Sequence, residues 1–396
     1  MCRFLENSRF NILSLLLISF FHITRGFKFL NNLQVEIVTI FFLLLIFINS
    51  NFLKIKNFKF DKALLFYLIS ICSITLILLF FWISEDDTQC LKAAYFYTLP
   101  IFYIYLLLAN SGHGNNPDKI LKFYSTFTAL LSFLNILMFI EVYFLRLHPF
   151  FTVELGTIQP RVYEHYLTGV LGEASRYISY FGEPSDFVWI IASGFFILLK
   201  YEFYLMAFIS LFSIIISGSG AVPVFLLIFI FWSIFQKKLN FFIVLSILVM
   251  TLIAVYLTSE ATLTRIFVRW FDPDSHQLSV NRINFLLSRH ISDTNSLSLP
   301  LYQIYPTRIV GPELLNYTNN FFYTVARLGI FSIPIILSSS FLMFKCLKSI
   351  LRRKEYELAT SLLCFILLSF TRESFNFILV FWFLYIFIQK KIEKSI

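Results

Sequence analysis

Nearly all the side chains of this chain that could do chemistry fall in two stretches. Residues 146 to 185, RLHPFFTVELGTIQPRVYEHYLTGVLGEASRYISYFGEPS, gather Arg146, His148, Glu154, Arg161, Glu164, His165, Glu173, Arg176 and Glu183. Residues 258 to 318 hold the second group. There Arg265 and Arg269 stand at i and i+4, so a helix would put both on one face. Arg282 and Arg289 are seven apart, again one face, with His290 beside the second. A guanidinium is a planar fork that grips phosphate oxygens two at a time. Carboxylates are sparse after Asp274, so these arginines point to an anionic ligand. The plainer alternative is that they meet lipid headgroups or pair with the carboxylates of the first stretch.

A connection of such length that is not a separate domain is functional or disordered. The rings of Phe150, Phe151, Tyr163, Tyr166, Tyr177, Tyr180 and Phe181 argue against disorder in the first stretch. Rings interleaved with arginine suit the headgroup level of a membrane. They also suit sugars, whose apolar faces stack on rings while their hydroxyls seek charged partners.

What must position these stretches is a membrane. The 396 residues are 58% hydrophobic and only 14% charged, with mean hydropathy +0.77. A soluble domain carries roughly 25% charged residues. The expected fold class is therefore all-α, a polytopic transmembrane helical bundle forming a single integral membrane domain over residues 1–396, with the first outer loop at 146–185 and the second at 258–318. Lys and Arg number 32 against 23 Asp and Glu, which in such a chain is the basic flanking of spans and not a nucleic-acid footprint. Cys2, Cys72, Cys90, Cys346 and Cys364 include no CxxC pair, so neither a disulfide framework nor a metal site is expected. Arg3 and Arg9 precede NILSLLLISFF as in a secretion signal, but HITRG offers no small-residue cleavage site, and the run reads as a retained first span.

A spanning helix needs about 20 apolar residues, or about 17 where the membrane is thin. Twelve stretches qualify, at roughly 10–24, 33–53, 63–83, 91–109, 122–145, 186–199, 201–217, 220–236, 239–257, 320–344, 357–371 and 375–389. With the N-terminus inside, the cytoplasmic connections are KIKNFKFDK, SGHGNNPDK, QKK, KCLKSILRRK and the tail QKKIEK, nearly all strongly basic. The outer connections SEDDTQ, SGS and TRES are acidic or neutral and alternate with them, together with the two long loops. Both termini are then cytoplasmic. Glu36, Glu141 and Arg327 fall inside or at the edge of spans, where a charge is either functional or snorkels to an interface. Pro223 and Pro334 are expected to kink their helices, and Gly218 and Gly220 to make a tight external turn. The halves before and after residue 200 do not mirror each other, which counts against a repeat-built carrier.

At RYISYFGEPSDFVWIIASGFF, residues 176–196, the chain resembles the Wzy-type O-antigen and capsule polymerases, membrane glycosyltransferases that extend surface polysaccharides. The likeness rests on Arg176 followed by Phe181, Gly182, Glu183, Pro184 and Ser185 just before a span. SVNRINFL resembles the family's outer-loop Ser-x-x-Arg segment and points to Arg282. NNFFYTVARLGIFSIP, with Asn320 and Arg327, resembles the start of a late span, and FNFILVFWFLYIF the last one. Arg161 and Gly172 match an Arg-x10-Gly pattern of some members' outer loops, for which the second loop has no equivalent. Related ligases carry His where this chain has Asn319, which favours a polymerase.

The resemblance implies transfer of a growing glycan from a polyprenyl diphosphate onto the sugar of an incoming lipid-linked repeat unit, on the outer face of the bacterial inner (cytoplasmic) membrane. A hydroxyl attacks an anomeric carbon and a diphosphate leaves. Charge develops on the leaving group, so fixed cations supply most of the stabilisation. It implies Arg176, Arg282 and Arg289 for that role, with Arg161, Arg265 and Arg269 in reserve. Glu183, ahead of a proline that fixes the turn, is the first choice of general base, with His290 and Glu173 as alternatives. The competing role for Glu183 is a helix-start carboxylate favoured by the dipole of the span that follows. No Asp-rich cation motif stands out, so the reaction is expected to need no metal and no cofactor. The expected partners are the polyprenyl-diphosphate-linked donor and acceptor, membrane lipids and a chain-length regulator, with no nucleic acid. Two other classes remain in view: a flippase or carrier of lipid-linked repeat units, and an O-antigen ligase with the same chemistry and another acceptor.

Overall fold

The computed structural model describes residues 8–23, 32–49, 62–85, 88–111, 116–141, 184–217, 219, 221–236, 333–352, 354–371 and 375–394. Among these the chain is all-helical, with eleven helices and no strand. They are α1 (Ser8–Ile23), α2 (Asn32–Asn49), α3 (Lys62–Glu85), α4 (Thr88–Ser111), α5 (Pro117–Phe139), α6 (Pro184–Lys200), α7 (Tyr204–Ile216), α8 (Val222–Phe235), α9 (Ile333–Arg352), α10 (Tyr356–Thr371) and α11 (Phe375–Lys394). Each falls on one of the apolar stretches read from the sequence. The stretch 239–257 and both outer loops, up to residue 183 and over 258–318, lie outside the described residues.

α5 is long and apolar enough to cross a membrane by length and composition. Its 23 residues rise about 34 Å, against a hydrocarbon core of roughly 30 Å. It starts cleanly. The Asn116 side chain accepts from the Asp118 N–H, and Pro117 holds the first position, where a missing N–H costs nothing.

α6 is the helix the others surround. Every residue from Asp186 to Leu198 is buried, and α5, α7, α8 and α10 pack around it. A helix buried on all sides is apolar on all sides, as PSDFVWIIASGFFILLK is after its first turn. Phe195 meets Phe225 and Phe229 of α8 at centroid distances of 5.6 and 5.4 Å, and Phe196 meets Trp232 at 5.8 Å. On the outside, α2, α3, α7, α8 and α9 expose large apolar side chains such as Phe41, Leu76, Leu205, Phe231 and Phe344.

One expectation is corrected here. Pro223 is the second residue of α8, so it opens that helix and does not kink it. Pro334 lies in α9 next to residues outside the described ones. Among the described residues a proline inside a helix is Pro100, buried in α4. The α7–α8 connection is a turn, with the Val222 N–H donating to the Ser219 carbonyl at 3.1 Å, while Gly218 and Gly220 themselves lie outside the described residues. Ser217, Ser219 and Ala221 are buried. Their hydroxyls make that tolerable, because Ser217 Oγ donates to the Ile214 carbonyl at 2.6 Å and Ser219 Oγ accepts from the Ala221 N–H at 3.2 Å.

Candidate functional site

One end of the bundle is a knot of charges built from four separate connections. Asp118, in the first turn of α5 ahead of the apolar run that begins at residue 122, uses both carboxylate oxygens. Oδ1 accepts from the Tyr201 hydroxyl at 2.7 Å, and Oδ2 pairs with Lys391 Nζ at 2.7 Å. Lys390 donates to the Ser111 carbonyl. Lys122 lies over the rings of Tyr201 and Phe203, at 4.9 and 5.9 Å from their centroids. Lys200 pairs with Glu355 at 2.5 Å, and Gln236 donates to Glu357 at 3.1 Å. Lys345 of α9 donates to Tyr385 of α11 at 3.1 Å. The sequence reading groups the stretches 54–62, 111–119, 236–238, 345–354 and 389–394 by charge and alternation, and the contacts of Ser111, Asp118, Gln236, Lys345, Lys390 and Lys391 lie at this end of the bundle.

Burial raises the pKa of Asp118, but the hydrogen bonds from Lys391 and Tyr201 and the charges of Lys391 and Lys122 outweigh it, so its carboxyl titrates below the usual range. A carboxylate whose folded pKa is depressed stabilises the fold above its unfolded pKa, about 4. That contribution is lost as pH falls through the folded value. Unfolding midpoints in detergent should therefore separate wild type from Asp118→Asn at pH 7, and the gap should close on acidification below about pH 4. A gap that stays constant down to pH 3 would show that the carboxylate charge is not what stabilises this end.

From that knot a polar seam climbs the inside of the bundle. Ser125, Thr128, Ser132 and Asn135 repeat at spacings of three and four along α5, one face of the helix, and all are buried. Tyr124 and Ser193 hydroxyls bond at 2.6 Å, Ser132 donates to Ser210 at 3.3 Å, and Asn135 Nδ2 donates to Ser213 Oγ at 3.0 Å. Such bonds between membrane helices are worth about 0.6 kcal/mol each. Small residues let the backbones approach, and Gly194 of α6 lies directly against Thr128. The pairs fix directions: α6 runs antiparallel to α5, and α7 runs parallel to it. On the α1 side, Asn11 bonds Asn110 at 2.9 Å and Ser19 meets Tyr103, so α1 and α4 are antiparallel.

These directions put the start of α6 at the end away from the charge knot. Lys200 sits in the knot, and Pro184 is about 24 Å further along the helix. Pro184 directly follows Glu183 in the chain, and Asp186, buried, closes the first turn. The residues expected to carry chemistry, Arg161, Arg176, Glu183, Arg265, Arg269, Arg282, Arg289, His290, Asn320 and Arg327, all lie outside the described residues. Of the charges expected at membrane depth, Glu141 is half-buried just past α5, Glu36 lies in α2, and Arg327 is outside the described residues. Among the described residues no group of His, Cys, Asp and Glu could hold a metal ion, and Cys72, Cys346 and Cys364 form no disulfide.

The sequence reading missed the seam and the knot. The seam was legible, since Ser125, Thr128, Ser132 and Asn135 carry helical spacing, whereas the pairing of Asp118 with residues 83 and 273 positions away had no local signal. In class the protein is an all-α helical bundle with a candidate membrane-crossing helix. No protein-family model, curated protein or solved structure matches the chain.

Proposed function

We propose that the chain is a glycosyltransferase of the bacterial inner membrane that joins polyprenyl-diphosphate-linked repeat units into O-antigen or capsule on the outer face. Its twelve spans leave both termini in the cytoplasm and two long loops outside. The observation that supports this reading is the position of Pro184 and Ser185, the last two residues of the Phe-Gly-Glu-Pro-Ser sequence. They open α6, the most enclosed of the described helices, at the end away from Lys200 and the charge knot. Glu183 takes the acceptor hydroxyl proton as that oxygen attacks the anomeric carbon. Arg176, Arg282 and Arg289 hold the departing diphosphate, with Arg161, Arg265 and Arg269 lining its approach and His290 as the second proton carrier. Asn320 and Arg327 belong to the start of the span that closes the second loop.

A carrier for the same lipid-linked sugars should concentrate charge between its helices near the midplane. The seam of α5, α6 and α7 offers hydroxyls and an amide there, and no charge among its described residues, which supports the enzyme. Surface polysaccharide from cells lacking the protein separates the readings. Loss of a polymerase leaves single repeat units on the surface. Loss of a carrier leaves none, and loss of a ligase leaves long chains still attached to the lipid carrier. Either of the last two results would overturn the proposal.

A further inference from the structure

The outward face of α5 is a stripe graded by depth. Lys119, Lys122, Phe123, Thr126, Leu130 and Phe133 recur at spacings of one, three and four, and all six are exposed. The cations come first, at the charge knot, and the apolar side chains follow toward the other end. Beside it α7 turns Tyr204, Leu205 and Phe208 outward. A lipid has the same grading, an anionic head and a chain below it.

The charge of Lys122 acts on Asp118, but neither lysine of the stripe forms an ion pair among the described residues. Asp118 is already engaged on both oxygens by Tyr201 and Lys391, and Lys200 by Glu355. Lys122 rests over the faces of Tyr201 and Phe203, which orient its ammonium without neutralising it. Among the described residues the α6–α7 turn adds one further carboxylate, the exposed Glu202, a single charge to the two of Lys119 and Lys122. We propose that this face seats an anionic phospholipid of the surrounding bilayer, its phosphate at Lys119 and Lys122 and its acyl chain along Phe123, Leu130 and Phe133. The inference rests on α5 crossing the membrane and not on the transfer chemistry, so a chain with no polymerase activity would still bind.

The test uses the full chain in detergent micelles, with retained lipid counted by native mass spectrometry. Phosphatidylglycerol should bind, and phosphatidylcholine should bind less. Each lysine replaced, as Lys119→Gln and Lys122→Gln, should weaken phosphatidylglycerol binding about fivefold, the factor matching roughly 1 kcal/mol per basic residue at an anionic surface. Lys62→Gln, an exposed lysine at the start of α3, is the control and should change nothing. Should the double variant not fold, Lys119→Gln alone still carries the expected fivefold loss. Equal binding of phosphatidylcholine, an equal loss in Lys62→Gln, competition by inorganic phosphate at matched concentration, or preference for a polyprenyl phosphate would each overturn the assignment.

Discussion

Gly194→Leu is expected to remove the folded protein from the membrane, and Gly194→Ala to lower its stability by about 1–3 kcal/mol, the usual cost of an extra carbon in a filled core. In an isolated helix the alanine would gain up to about 1 kcal/mol of helix propensity. Here packing decides. A Cβ at position 194 would overlap the Thr128 hydroxyl outright and stand 2.7 Å from the Thr128 Cβ. Rotating the threonine moves its hydroxyl and methyl but not its Cβ, so α5 and α6 must separate. Separation stretches the Tyr124–Ser193 bond one turn away and strains the contact of Tyr201 with Asp118 below it. Adding Thr128→Ala should restore part of the loss, since it removes the overlapping hydroxyl and leaves the Cβ. Unfolding midpoints in detergent measure all three proteins. A Gly194→Ala variant as stable as wild type would mean the two helices do not meet at this glycine.

The larger effect on activity is expected at the outer loops. With the protein at normal levels, Arg176→Ala, Arg282→Ala and Glu183→Ala should each abolish long-chain polysaccharide while single repeat units persist. Removing one preorganised group facing developing charge costs about 10²- to 10³-fold in rate. Removing a general base costs about 10²- to 10⁴-fold. Polymer length multiplies the deficit, because every added unit passes through the slowed step. Glu183→Gln distinguishes the two roles of that residue. A proton acceptor is lost with the charge, whereas a side chain that merely caps the helix keeps most of its function as an amide. If all three alanine variants make wild-type chains, the assigned chemistry is wrong.

Helix positions were legible in this sequence because each falls on a long apolar run, where the backbone satisfies its polar groups within the helix. Part of the grouping of connections was legible too, since the contact Lys391–Asp118 joins the stretches 389–394 and 111–119, whereas Lys200, Glu355 and Glu357 lie outside the stretches that were grouped. One proline was misjudged from position. Pro223 looks internal to its apolar run, yet the first helical residues are where proline is tolerated best. The buried turn at Ser217 and Ser219 was hidden because two hydroxyls returning to the backbone make a polar sequence compatible with an interior. The long-range role of Asp118 had no local trace, since its partners come from the α6–α7 turn and the end of α11. The arginines and Glu183 were singled out by residue chemistry and by a short resemblance, and they lie outside the described residues.

The central claim is that both loops present their guanidinium groups on one face of the membrane, away from the knot around Asp118. Labelling of intact cells with a membrane-impermeant thiol reagent tests it most directly, using single-cysteine variants Arg176→Cys, Arg282→Cys and Lys391→Cys in a chain freed of its native cysteines. The account predicts that the first two label in intact cells and the third only after the membrane is permeabilised. Labelling of the first two from opposite faces would contradict it.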